Sequence, residues 1–541
     1  MNNRQHLSGA QAIIATLQAF QVDTIFGIPG IHTLPLYDEI HKTPGIRHVL
    51  ARHEQGAGFM AEGYARATGR PGVVSTITGP GLTNVATAVA SAFADSIPLL
   101  VISSSGPRAT ASRGRGELHE LKNQLGVMES LAGWARAMEC VEEIPGAIQD
   151  AMRIMRSGRA RGAYLQVPYD LFRAYATVTL PTAEDLFFEP RRPQEADIIQ
   201  AAQLLREARK PVILAGAGVT MAHANQELIV LAERLQAPVI LGSKSHDVIP
   251  NDHPLTVLTT TYTNTELHPL LESSDLLLVV GSKLGAERTA YGQYPLPPRL
   301  VHIDIDPTVI GHTYPAMLGI VADAREALQA LNAQLGDLAS ARPELETELS
   351  QVRAEIRQET RARFGEEVAL LDSVRAAVPP HGMIVADMTM LGYASTVFLP
   401  VYEPSSFIHP CEFCTIGCGL PLALGAQVAQ PERPVVALCG DGGFLLNSSE
   451  LATAVQEQLP VVIVIFNDST FTCVKTEQRQ AYEGRYIATD IVEPDYVALA
   501  QAFHVRGIRA EGPEALQAAI QEGLASRRPT LIEVPLPSKP W

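Results

Sequence analysis

At 541 residues, 46% hydrophobic and 18% charged, the chain is long enough for three domains of roughly 100–200 residues each and has the composition of a soluble globular enzyme. Its formal net charge of -16 offers no basic face to neutralise phosphates, which argues against a nucleic-acid partner. Six cysteines in so long a chain do not make a disulfide framework, and runs such as IPLLVISSS are far shorter than the ~20 residues a membrane span needs, so no membrane association is expected.

In chain order, the opening stretch MNNRQHLSGAQAII lacks the apolar region of a secretory leader, and a cytoplasmic protein is expected. The first third then alternates apolar β-runs, VDTIFGIPG, GVVSTITGPG, PLLVISSSG and RGAYLQVPYD, with helical patterns, the signature of α/β architecture. A proline-rich stretch from Leu180 to Ala196 reads as a linker to a second set, PVILAGAG, APVILGSK, DLLLVVG and RLVHIDIDP. The charged helical run ARPELETELSQVRAEIRQETRARFGEE separates this set from a third, which holds GMIVADMT, VVALC, VVIVIF and PTLIEVP. Three consecutive doubly wound α/β domains are expected, at 1–180, 190–340 and 360–541.

The third set carries the most informative stretch, GDGGFLLNSSELATAVQEQLPVVIVIFND, from Gly440 to Asp468. VVALC and VVIVIF read as buried strands joined by a helix, with Ser449 as its expected N-cap and Leu451, Ala454 and Val455 on one face. A crossover helix makes the strands parallel, so their carboxyl ends, and with them Asp441 and Asp468, open on the same side of the sheet. At the ~5 Å spacing of neighbouring strands, two carboxylates could share one hard cation such as magnesium. Taken singly, GDG reads as a tight turn and Asp468 as a strand-ending residue; their joint placement favours the cation.

This stretch is similar to the thiamin diphosphate motif, which opens with GDG and usually ends in Asn-Asn; here Asp468 stands in the second Asn position, 27 residues after Asp441. The resemblance to the thiamin diphosphate-dependent 2-oxo acid decarboxylase and acetolactate synthase superfamily runs through FGIPGIHTLPLYDEI, TGPGLTN, HIDIDP and TIGCGLPLALGAQ, and so covers essentially the whole chain. It implies magnesium held by Asp441, Asp468 and the backbone oxygen of Thr470, with Gly440, Gly442 and Gly443 in the cofactor-binding turn. It further implies that Ile416 props the cofactor in its bent conformation, that the Cys414 backbone oxygen meets the pyrimidine amine, and that Thr389 contacts the diphosphate. Glu54, in RHEQGAGFMAEGYAR, resembles the glutamate that favours the imino tautomer of the aminopyrimidine, whose nitrogen then deprotonates the thiazolium to an ylid. By the same resemblance, the first domain binds the pyrimidine and the third the diphosphate, with active sites formed between two subunits of a homodimer or a dimer of dimers.

Two other patterns lead elsewhere. Cys411, Cys414 and Cys418 lack the nearby fourth ligand that a zinc or iron-sulfur site wants. VILAGAGVTM has two glycines of a dinucleotide fingerprint, with Met221 in place of the third, and GSKLGAERTAYG stands where FAD-holding acetolactate synthases carry an arginine-rich segment; FAD is not expected.

The proton donors of pyruvate decarboxylases and benzoylformate decarboxylase are replaced here by Ile31, Val474 and Ile77. His119, in GRGELHELKNQ, falls in the loop where relatives place a glutamine or histidine over the thiazolium, and is the acid/base candidate; its plain alternative is an exposed loop histidine. FADSIPLLVISS and GRGELHELKNQ look closest to the 5-guanidino-2-oxopentanoate decarboxylase group, although Met390 and Asp468 depart from its pattern. The expected activity is decarboxylation of a small 2-oxo acid to an aldehyde through an ylid and enamine. The alternatives are an acetolactate-synthase-like carboligase and a non-catalytic cofactor-binding paralogue.

Overall fold

The computed structural model describes residues 3–110, 113–260, 265–338 and 341–537. Met1 and Asn2, part of the opening stretch on which the cytoplasmic expectation rests, lie outside the described residues.

Three parallel six-stranded sheets follow one another along the chain, as the alternating apolar runs imply. The first runs, edge to edge, through Arg47–Leu50, Thr24–Gly27, Gly72–Thr76, Leu99–Ser105, Gly162–Pro168 and Trp134–Ala137. The third runs through Phe407–Ile408, Met383–Ala386, Val435–Gly440, Val462–Asn467, Thr530–Pro535 and Arg506–Arg509. Numbered within each sheet, both follow the order 2-1-3-4-6-5, whereas the middle sheet, from Pro211–Ala215 to Leu318–Val321, follows 3-2-1-4-5-6. The outer two therefore share a topology that the middle one does not. An antiparallel pair, Arg4–Ser8 with Tyr175–Thr179, ties the two ends of the first unit together.

The period-two alternation of the third sheet decides where it packs. Val436, Leu438, Val462 and Val464 join a core continuous with the middle unit, while Val435, Ala437, Cys439, Ile463 and Ile465 join one shared with the first. That second interface centres on two helices, Glu54–Thr68 and Gly419–Ala429, which cross at glycines. A Cβ on Gly63 would lie 2.1 Å from the Leu422 oxygen, and one on Gly425 would lie 1.8 Å from the Met60 oxygen. Only glycine permits so close a crossing, and it locks the first unit onto the third within one chain.

The expected βαβ unit is present, with Val436 paired to Val462 and Gly440 to Phe466 in parallel register. Its connection differs from expectation. The chain makes a short helix Asp441–Leu445, a 3-10 turn Ser448–Glu450 and a helix Leu451–Gln456. Ser449 therefore lies inside the 3-10 turn and is not the N-cap; the turn starts after Asn447, whose side-chain amide is drawn to the Gly417 oxygen at 2.7 Å.

Candidate active site

In the third sheet, strand order reverses between Met383–Ala386 and Val435–Gly440, and a crevice opens at such a switch point. The residues that follow these two strands meet there. A Cβ on Gly440 would lie 3.1 Å from Thr389 Oγ1, and one on Gly443 would lie 3.3 Å from the Gly417 nitrogen and 3.8 Å from Ile416 Cβ. Thr389, Ile416 and the GDGG turn thus share one locality. Cys414 precedes it in a left-handed conformation, with φ 58°, and Ile416 is 37% exposed.

The buried Asp441 carboxylate accepts the N–H groups of Gly442 at 2.7 Å, Asp468 at 3.1 Å and Ser469 at 2.7 Å. Burial, with the negative charges of Asp468 and Glu493 nearby, pushes its pKa up to about 6. Among the described residues no basic side chain forms an ion pair with it. Asp468 accepts a hydrogen bond from the Thr472 hydroxyl. Thr470 spends its hydroxyl on the Thr489 oxygen, and its own carbonyl oxygen accepts the Thr472 N–H at 2.9 Å, leaving a second lone pair. Two carboxylates and a main-chain oxygen, hard oxygens in a locality with excess negative charge, fit a divalent cation. No group of three or more histidine, cysteine, aspartate or glutamate side chains is arranged to hold a metal among the described residues. Cys414 Sγ points to Met388 Sδ at 3.3 Å, and Cys418 Sγ to the Asp387 carboxylate at 3.5 Å.

In the first unit Glu54 opens its helix and is buried, with Asn84 donating to Oε2 at 2.9 Å. His119 sits in a left-handed conformation, with φ 62°, its ring Nδ1 3.3 Å from the Thr78 oxygen, over Gly79. Its loop is gathered by Glu120, whose carboxylate accepts the N–H groups of Gly114 and Gly116 at 2.7 and 2.9 Å. Within the single chain no hydrogen bond or ion pair joins Glu54 to Asp441 among the described residues.

Four further residues escaped the sequence reading. Asp387 is buried, and its carboxylate gathers the N–H groups of Met388, Gly417 and Gly419, holding the loop that bears Ile416; burial raises its pKa. Glu450 is buried and accepts the N–H groups of Arg52 and His53 at 3.0 Å, which anchors the start of the Glu54 helix to the third unit. Glu493 stands near Asp468 and accepts the Tyr496 hydroxyl. His32 stacks on Tyr169 at 4.8 Å, with His119 6.2 Å away, and burial lowers its pKa. A histidine two positions after the PG turn was the one local signal for His32; the two carboxylates that gather backbone N–H groups had none.

Three family models match in succession along the chain: the thiamine pyrophosphate enzyme N-terminal TPP binding domain over residues 7–127, the central domain over 198–331 and the C-terminal TPP binding domain over 387–534. The chain belongs to the thiamine pyrophosphate enzymes. As a thiamine pyrophosphate enzyme it is 35% identical, over 99% of its length and 95% of the relative's, to a probable 2-ketoarginine decarboxylase of Pseudomonas aeruginosa. It is 32% identical, over 98% of its length and 92% of the relative's, to a probable acetolactate synthase large subunit of Methanocaldococcus jannaschii. It is 31% identical, over 96% of its length and 93% of the relative's, to the acetolactate synthase isozyme 3 large subunit of Escherichia coli K12. The N-terminal and C-terminal TPP binding models fall on the first and third sheets, which share one strand order, and the central model on the middle sheet. No helix of this thiamine pyrophosphate enzyme is long and apolar enough to cross a membrane among the described residues.

Proposed function

We propose that this enzyme decarboxylates a small 2-oxo acid to an aldehyde with thiamin diphosphate and magnesium, in the cytoplasm. The observation that carries the cofactor half of this reading is the pair of aspartates at adjacent parallel strand ends, the first buried with no basic partner among the described residues. When bound, the cofactor supplies an electron sink for the carbanion left as carbon dioxide departs. Asp441, Asp468 and the Thr470 oxygen would hold the metal; Gly440, Gly442, Gly443 and Thr389 would border the diphosphate; Ile416 would prop the cofactor, and the Cys414 oxygen would meet the pyrimidine amine. Glu54 holds a proton at the pyrimidine edge, with Asn84 fixing its carboxylate. His119 moves the proton that ends the reaction at the product carbon. FAD is not part of this reading, because Met221 stands in place of the third fingerprint glycine; a Cβ on Gly216 would lie 2.1 Å from the Gly281 oxygen, so that glycine also has a packing role.

Two copies complete each site, in a homodimer or a dimer of dimers. Apolar side chains left exposed beside the candidate residues support this: Ile31 and Leu118 on the first unit, Leu446 and Val474 on the third. The divisions at 1–180, 190–340 and 360–541 belong to the same reading, one sheet to each.

The decarboxylase reading rests on the 2-ketoarginine decarboxylase relative; the acetolactate synthases support a carboligase as the second reading. Purified protein given thiamin diphosphate, magnesium and a panel of 2-oxo acids separates them. Aldehyde as the main product, lost in Glu54→Gln, supports decarboxylation; acetolactate as the main product from pyruvate sinks it. No product from any acid would leave a cofactor-binding paralogue.

A further inference from the structure

The middle unit supplies none of the residues assigned to the cofactor, yet one of its lysines touches both other units. Lys244, just after the strand Val239–Leu241, lies 3.5 Å from Asp95 of the first unit and 2.9 Å from Glu412 of the third. Asp95 also pairs with Arg66 at 2.5 Å, Arg66 pairs with Glu62 at 2.6 Å, and Glu412 pairs with Lys283. Three acids and three bases thus form one connected chain of ion pairs. It runs from the fully buried side chains of Glu62 and Asp95, through Lys244 at 23% exposure, to Lys283 at 33%. Burial lowers the Lys244 pKa, but Asp95 and Glu412 outweigh it and hold it above the ordinary lysine value.

The ends of this ion-pair network reach the two half-sites that one chain carries, which by the two-copy reading belong to different active sites. Glu62 and Arg66 project from the helix that Glu54 opens. Glu412 lies two residues before Cys414 and four before Ile416, in a loop otherwise tied down at Gly417 and Gly419 by Asp387. We propose that Lys244 is a positioning residue: through Glu412 and Asp95 it sets the cofactor loop 411–416 against the Glu54 helix, and so gives the middle unit a part in cofactor binding. A buried charge whose partner is removed costs far more than the pair is worth intact, so the chain tolerates one geometry and penalises displacement of either end. This inference rests on the thiamin diphosphate reading above.

The test uses the full-length protein and the variants Glu412→Gln, Lys244→Met and Lys244→Arg. Calorimetry reads the thiamin diphosphate dissociation constant at saturating magnesium, amide hydrogen exchange reads residues 411–417 in cofactor-free protein, and thermal melting reports the fold. Glu412→Gln leaves no buried charge bare and is expected to fold. It should speed exchange in 411–417 and weaken cofactor binding about 10-fold, the lower range for losing a group that orients a ligand shell. Lys244→Met should act in the same direction and Lys244→Arg should restore most of the loss; if Lys244→Met does not fold, Glu412→Gln carries the test alone. Unchanged exchange and affinity in Glu412→Gln overturns the inference, as does a lowered melting point with unchanged affinity, the mark of a merely structural pair. A wild-type protein that does not bind thiamin diphosphate overturns the proposed function and the positioning role with it, whereas a binding wild type matched by Glu412→Gln overturns the positioning role alone.

Discussion

The carboxylate of Asp441 accepts the main-chain N–H of Asp468 at 3.1 Å, so one of the two aspartates sets the direction of the loop that carries the other. Removing Asp441 therefore takes away a candidate ligand and the anchor of a second. Asp441→Ala should weaken magnesium-dependent cofactor binding by more than the ~100-fold that loss of an outer-shell partner can cost. Asp468→Asn keeps an oxygen ligand and leaves the Asp441 hydrogen bonds intact; it should retain magnesium-dependent activity. Calorimetric titration of both variants checks this, and loss of all cofactor binding in Asp468→Asn would remove that residue's assignment as a ligand.

The crossing of the helices Glu54–Thr68 and Gly419–Ala429 has no room for a methyl group. Gly425→Ala would place Cβ 1.8 Å from the Met60 oxygen, a rigid backbone atom. The cost should exceed about 3 kcal/mol, the upper part of the range for overpacking. Gly146→Ala is the matched control, in the helix Ile144–Arg156 with nothing within 4 Å of the added carbon. It should gain about 0.4–1 kcal/mol from a less flexible unfolded chain. Thermal melts of the two variants should move in opposite directions.

His409 is fully buried, with Nδ1 2.9 Å from the Ala386 oxygen, and burial lowers its pKa to about 4. Because the folded value lies below the unfolded one of about 6.5, the unfolded chain binds more protons between the two. Its contribution to stability is therefore complete above about pH 6.5 and is lost as the pH falls toward 4, at about 1.4 kcal/mol per pH unit. Asp247 and Asp441, each raised to about 6 by burial, work in the opposite sense over much of this range, and His246, lowered to about 4, works in the same sense, so the wild-type curve alone mixes them. His409→Gln isolates the histidine: its melting point should lie below wild type at pH 7.5 and approach it steadily toward pH 4.5. A gap that stays constant with pH would show that His409 does not titrate in this window.

His119→Ala should lower kcat about 100-fold, the modest end of what a positioned proton donor supplies, with cofactor affinity unchanged. Steady-state rates on the acid that proves to be the best substrate decide it. Unaltered kcat would reduce His119 to a loop histidine held over Gly79.

Amino-acid order alone determined the parts whose cause is local. Runs such as VVALC and VVIVIF read as strands because they are short, β-branched and flanked by glycine or proline, which favours strand over buried helix, and a crossover helix between two of them in one sheet makes the pair parallel. The juxtaposition of Asp441 and Asp468 follows from that rule, and the pairing of Gly440 with Phe466 bears it out. The Ser449 cap failed because Asn447, pulled to a loop 30 residues away, starts the turn earlier than local propensity favours. Tertiary structure alone decided that Glu450 anchors the backbone just before Glu54, from 398 residues away at Arg52, and that Lys244 joins Asp95 to Glu412. Neither leaves a periodic trace in the sequence, since a charge or a carboxylate acquires its partner only when separate units pack and exclude the water that would otherwise solvate it.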